Sequence, residues 1–223
     1  MGSDEEGKAL ATPEYWNSRY TTSTGPSPTH EWFRSYTALE PFFARHLFPS
    51  YPPSSNPQIL HLGSGDSTVP HDLAQKGYTS QTCLDFSQVV VDMMSQRHAS
   101  EGITWRWADV RNMRDQAGNE SVDVAFDKGT LDAMIHGSPW DPPEQVRLDT
   151  GRYMREVRKH TQRQRRVWAE RILLVGPSRA EAHGHLSLRH FPSTAFHQAL
   201  AQPRWRKFVG DGDGDVGGWG ELV

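Results

Sequence analysis

Two glycines flank a serine at Gly63-Ser64-Gly65. They follow the short apolar run Gln58–Leu62 and precede a helix-like stretch that reaches Lys76. Glycines at such a turn let the backbone approach a ligand without a Cβ clash, and the helix start beyond them offers unpaired N–H groups. Twenty residues after Gly65, Asp85 ends the next strand-like run, where its carboxylate can accept both ribose hydroxyls of an adenosine. A dinucleotide fingerprint has G-x-G-x-x-G, and its third glycine position is Thr68 here. The pattern therefore disfavours a nicotinamide dinucleotide and suits an adenosine cofactor with no pyrophosphate. Read alone, G-x-G is also an ordinary tight turn.

Two further acidic positions fall at strand ends. Trp107-Ala-Asp109-Val110 closes a third strand-like run. In a parallel sheet all strand C-termini share one edge, where ligands bind. Asp109 there can accept an adenine amino group, with Val110 against the ring; taken alone, an Asp at a loop start reads better as a turn cap. Ala125-Phe-Asp-Lys-Gly-Thr-Leu-Asp-Ala133 leaves a fourth strand at the same edge and would set Asp127 beside the reacting group. The competing reading is an ion-paired Asp127–Lys128 turn with Asp132 capping a helix.

The elements that must position these residues follow from periodicity. His30–Phe48 carries Trp32, Phe33, Tyr36, Leu39, Phe42, Phe43 and Leu47 at helical spacing, with Pro41 as a bend or restart. Strands are expected at Gln58–Leu62, Thr79–Asp85, Ile103–Ala108 and Val122–Phe126. Gly77 ends the first intervening helix, and Ser87 caps the second, which turns Val90, Val91 and Met94 inward. Pro142–Trp168 reads as helix and Arg171–Val175 as a fifth strand; His185–His190 and Trp205–Val209 are late strand candidates. The alternation gives an α/β fold: a Rossmann-like, doubly wound, mainly parallel sheet with helices on both faces. Residues 1–13 are expected to be a frayed, flexible N-terminus and 14–223 a single domain, atypical from about residue 160.

Composition excludes several classes. The chain has 223 residues, enough for one α/β domain with a sizeable core. No run of 18 apolar residues and no apolar leader occurs, so neither a membrane span nor a secretory signal is expected, and the cytoplasm is the expected compartment. Net charge is −3, which argues against a general nucleic-acid binder. The basic run Arg147–Arg171 is the exception, and reads as a solvated helix face more readily than as a nucleic-acid surface. Cys83 is the single cysteine, so an intramolecular disulfide and a thiolate zinc cluster are ruled out, and a buried, inert thiol is expected. No metal is expected: His183-Gly-His185 and His190 lack nearby acidic partners, and Gly210–Gly220 lacks the closing Glu of an EF-hand loop.

The combination DKGTLDA at 127–133, LHLGSGDS at 60–67, LDFSQVVVDMM at 84–94 and WADVRNM at 107–113 resembles the seven-β-strand protein lysine methyltransferases. Glu14-Tyr-Trp-Asn-Ser-Arg-Tyr20 and Glu31-Trp-Phe33 are similar to the Y-W-x-x-R-Y and E-W-F elements of the group acting on translation elongation factor one-alpha. The likeness covers roughly residues 14–135. Beyond about His160 the chain departs from it, with Lys159–Arg166 where relatives have a Leu-x-Pro-Gly-Gly turn. The resemblance implies seven strands and S-adenosylmethionine as cofactor. It implies that Trp16 and Tyr20 close over the cofactor and that Arg19 lies near its carboxylate. His30 falls at an aromatic contact position, Asp85 and Phe86 hold ribose and adenine, Asp109 and Val110 flank the adenine, and Asp127 and Lys128 line the methyl-transfer edge.

The implied reaction is in-line displacement at a sulfonium methyl, in which alignment of the nucleophile can contribute about 7–11 kcal/mol in the best cases. A lysine amine, with a reference pKa of about 10.4, must first lose its proton, and Asp127 is the group expected to orient it. The implied partner is a protein substrate, elongation factor one-alpha, acted on by a monomer. Three other readings compete: a small-molecule methyltransferase, a methyltransferase-like module without turnover, and a nucleic-acid methyltransferase. DKGT stands where the last would carry N/D-P-P-Y/F.

Overall fold

The computed structural model describes residues 3–22, 31–113, 122–137, 141–161 and the strand 172–175. Its centre is β1 (Ile59–Leu62), buried along its whole length. β2 (Gln81–Asp85), β3 (Thr104–Trp107), β4 (Val124–Lys128) and β5 (Ile172–Val175) complete a parallel sheet in the order β3-β2-β1-β4-β5. These five strands include the expected fifth one. The late strand candidates, the Gly210–Gly220 loop and the histidines at 183, 185 and 190 lie outside the described residues. β4 runs two residues further than expected, carrying Asp127 and Lys128 within the strand.

Register divides the sheet into two faces. Ile59, Val124 and Phe126 point into a cluster with Leu39, Phe42, Phe43, Leu73 and Tyr78, drawn from α3 (Tyr36–His46), α4 (Val69–Gln75) and the loop after it. Leu60, Leu62, Leu84 and Ala125 point the other way, against Tyr153, Met154 and Val157 of α7 (Glu144–Thr161). Helices on both faces follow because each strand alternates two apolar sets.

Local signals explain most helix ends. Ser87 accepts from Val90 N–H at the start of α5 (Gln88–Arg97), which buries Val90, Val91 and Met94 as expected. Gly77, at φ +94, follows the end of α4 in a backbone form that favours glycine. In α7 the buried residues recur at helical spacing, while Arg147, Arg152, Arg155, Arg158 and Lys159 face solvent. Cys83 is buried in β2, and burial pushes its thiol well up. Among the described residues no helix is long and apolar enough to cross a membrane.

Two expectations fail. The helix predicted over His30–Phe48 begins only at Tyr36, with Ser35 as its cap. Pro41 sits inside it without ending it. Residues 3–10, expected to be frayed, form α1 (Ser3–Leu10). α1 is held from outside: Trp16 of α2 (Pro13–Thr21) donates its indole N–H to Leu10 O at 2.7 Å, and Gly7 lies against His136.

Candidate active site

A cleft opens at the C-terminal edge of the sheet, about 750 Å³ including the solvent at its mouth. Every strand from β1 to β4 contributes the residues just past its end.

The glycine loop forms the floor. Gly63 and Gly65 have φ +60 and +54. A Cβ on Gly63 would stand 2.2 Å from Thr130 Oγ1, and one on Gly65 would stand 2.7 Å from the Tyr20 hydroxyl. Both positions therefore need glycine for conformation and for space. Gly65 N–H donates to Asp85 Oδ2 and Ser87 N–H to Oδ1, each at 2.9 Å. Burial, against these backbone donors, raises the Asp85 carboxyl to about 6. Each of its oxygens keeps a second lone pair, so the floor can still accept hydroxyl donors.

β3 supplies Ala108, Asp109, Val110 and Arg111 to the next wall. Asp109 is forked onto Arg111, whose Nε and Nη2 donate to it at 2.8–3.0 Å. Arg111 reaches on to Asp149 of α7 at 3.1 Å. The turn-cap reading of Asp109 is thus realised as well: Arg111 N–H donates to its Oδ1 at 2.8 Å.

The turn after β4 behaves differently from both sequence readings. Asp127 does not line the cleft. Its Oδ1 accepts Thr130 N–H at 2.9 Å, and its Oδ2 accepts Leu131 N–H at 3.0 Å and the Tyr153 hydroxyl at 2.6 Å. Asp127, not Asp132, thus holds the start of α6 (Thr130–Ala133). Lys128 turns the other way. Its ammonium pairs with Glu31 at 2.9 Å and donates to Trp32 O at 2.8 Å, so the Asp127–Lys128 pair does not form.

The roof comes from the start of the chain: Leu10, Ala11, Trp16, Tyr20 and Trp32. Trp16 stacks on Tyr20 and meets Trp32 edge-on. Arg19 does not line the cleft; its guanidinium lies over the Trp16 and Trp32 rings at 5.8 and 6.0 Å, and Nη1 donates to the Tyr15 hydroxyl. Of the expected contacts, Trp16, Tyr20, Gly63, Gly65, Asp85, Phe86, Asp109, Val110 and Lys128 line one cleft. Arg19 and Asp127 stand behind it, and His30 lies outside the described residues.

Glu31 is the residue sequence reading passed over. It accepts from the Ser67 hydroxyl at 2.6 Å and from Thr68 N–H and Oγ1, both at 3.1 Å, besides Lys128. Against the penalty of burial, Lys128, Ser67 and Thr68 hold its carboxyl below the usual range. One side chain therefore ties the roof to the floor and to β4. Its signal lay in the E-W-F element; the sequence offered nothing to pair it with Lys128, 97 positions on. Because Glu31 is a fifth exposed, Glu31→Ala should cost about 2 kcal/mol, less than a fully buried pair. A urea midpoint within error of wild type would show the strap to be idle. Arg111, Thr130 and Met134 also line the cleft without having been expected.

No family model matches the chain. It is 30% identical over 193 residues to EEF1A lysine methyltransferase 4 of Mus musculus, covering 84% of this chain and 68% of that protein. The chain belongs to the eEF1A lysine methyltransferase family. The Bos taurus protein of the same name is 33% identical over 130 residues, covering 57% of this chain and about half, 48%, of its own length. The eEF1A lysine and N-terminal methyltransferase of Danio rerio is 29% identical over 127 residues, 17% of its length. Among solved structures, a protein studied for conversion of a disulfide bond into a thioacetal group during echinomycin biosynthesis superposes with a TM-score of 0.52. It is 17% identical and the match covers 86% of this chain and 78% of that one, a likeness of fold. In this member of the lysine methyltransferase family, then, the expected glycine loop and Asp85 sit where the parallel sheet opens.

Proposed function

We propose that the chain binds S-adenosylmethionine in this cleft and transfers its methyl group to a lysine of elongation factor eEF1A. The observation that carries the reading is the Gly65 N–H donated to Asp85 at 2.9 Å, which holds a carboxylate at the cleft floor beside a turn whose two glycines leave room for a ligand. The cleft fits the cofactor in further ways. Ala108 and Val110 offer an apolar seat for a planar base, and Trp32 Nε1 is buried with no hydrogen-bond partner among the described residues.

When bound, the cofactor supplies a methyl group on a good leaving group. The chain's task is to orient an acceptor amine and keep it unprotonated. The aromatic roof of Trp16, Tyr20 and Trp32 excludes water and disfavours an ammonium by desolvation. Lys128, already paired with Glu31, adds little net positive charge to repel the acceptor. Asp127 acts as a positioning residue, holding the turn that carries Gly129 and Thr130 into the cleft.

Calorimetric titration with S-adenosylmethionine and S-adenosylhomocysteine, with NAD and Asp85→Ala as controls, tests the cofactor. Transfer of labelled methyl to purified eEF1A tests the acceptor. Binding of neither sulfonium nor thioether form would overturn the reading, while binding without transfer would leave a cofactor-holding module. A pH dependence follows as well. Hydroxyl donors favour ionised Asp85, so affinity should be full above about pH 7, about half at the Asp85 value of about 6, and about tenfold lower at about pH 5. Asp85→Asn should bind more weakly and lose that slope; a slope kept by the variant would assign it to another group.

A further inference from the structure

A second constellation lies away from the cleft, between α4 and the end of α5. His71 belongs to α4, His98 follows the last residue of α5, and Glu101 lies in the turn that leads to β3. His71 Nδ1 stands 2.7 Å and His98 Nδ1 3.0 Å from one oxygen, Glu101 Oε1. One ligand atom from each residue falls within 4.8 Å of the others. Glu101 Oε2 is buried and has no hydrogen-bond partner among the described residues. A buried carboxylate oxygen without a donor is costly unless a water or a cation meets it.

The surroundings prepare the three groups as ligands. His98 stacks on Trp105 at 6.1 Å and 24°, which sets the plane of its ring. The His71 ring lies 5.2 Å from the His98 ring, and its side chain is 37% exposed, leaving a side open to water. Against the penalty of burial, hydrogen bonds from His98 and His71 keep the Glu101 carboxyl below its usual range.

We propose that His71, His98 and Glu101 form a binding site for a first-row divalent cation, zinc above others, that clamps α4 to the end of α5. Two imidazole nitrogens, one carboxylate and a water make a tetrahedral set suited to zinc. Bonds of about 2.0–2.1 Å place tetrahedral ligand atoms about 3.3 Å apart, so the two histidine–Glu101 contacts, at 2.7 and 3.0 Å, need open by about half an ångström. The rings bind as neutral imidazoles through Nδ1, with the remaining proton on Nε2. Residues 71, 98 and 101 form no short motif, which is why the sequence offered no metal here. The clamp joins the helices that follow the glycine loop and Asp85, and its role is structural.

Zinc chloride titrated into the full chain by calorimetry tests the site. Wild type is expected to bind one equivalent that His98→Gln/Glu101→Gln holds at least about tenfold more weakly. His183→Gln/His185→Gln should leave that equivalent in place, separating it from the other histidines. Zinc should also raise the melting temperature of wild type. Cobalt gives a second reading that leaves every ligand intact: at this site it quenches Trp105 through His98, so Trp105→Phe should lose a distinct part of the emission response. Zinc affinity unchanged in the double variant, no zinc binding by wild type, or equal cobalt quenching in wild type and Trp105→Phe would each overturn the proposal.

Discussion

Asp127→Ala is expected to destabilise the protein by about 3–5 kcal/mol, read as a lower urea midpoint with an unchanged slope. The carboxylate is 1% exposed and receives the Thr130 and Leu131 amides and the Tyr153 hydroxyl. Removing it strands three donors, the Tyr153 hydroxyl in the core and the two amides of the part-buried turn. Tyr153→Phe should cost less, about 1.5–3 kcal/mol, because only one charge-assisted bond is lost. Asp127→Asn adds a test by pH. Burial, against Tyr153 and the backbone donors, raises the Asp127 carboxyl from 3.8 to about 6. The folded chain thus holds this proton more tightly than the unfolded chain. Its contribution is fully present below about pH 4 and lost as pH rises through about 6, and Asn removes that part of the slope. An Ala variant with the wild-type midpoint would mean that the turn is secured elsewhere.

The second large effect belongs to Gly63→Ala, expected to cost about 2–5 kcal/mol. A left-handed backbone costs a non-glycine residue about 1–2 kcal/mol, and overpacking adds about 1–3. The obstructing atoms cannot swing away: Thr130 is β-branched, and its hydroxyl donates to Leu62 O at 2.7 Å and contacts Gly63 O at 3.1 Å. Thr130→Ala removes Oγ1 and Cγ2 but leaves a Cβ 2.9 Å from the new methyl, so it should restore part of the loss only. The two substitutions should be coupled, with the double variant more stable than the sum of the singles. Strict additivity in denaturation would show that the methyl meets something else.

The parts of this molecule governed by local chemistry are legible in its sequence. Ser87, Gly77 and the inward set Val90, Val91 and Met94 act within one helix or its ends, and they stand where expected. The glycine loop and Asp85 were legible too, because strand alternation brings strand ends to one edge. Long-range partners were not. Trp32 and Phe33 match helical spacing, yet Phe33 adopts φ +62 and Trp32 gives its carbonyl to Lys128. Tertiary contacts override the periodicity there. Asp127 sits beside the expected chemistry in sequence and in space, but its carboxylate turns inward to Tyr153, 26 residues later. No pattern in a single chain announces which way such a side chain turns. α1 is short, and Trp16 and His136, distant in sequence or beyond its end, meet it from outside.

The Glu31 strap has a consequence for how the domain comes together. Its bonds to Ser67 and Thr68 close spans of 36 and 37 residues, and the Trp32–Lys128 bond closes one of 96. The cleft exists only when segments from the beginning and middle of the described chain have met. A molecule held between its walls recognises that finished arrangement alone. By mass action, its presence stabilises the entire domain and not just the residues it touches.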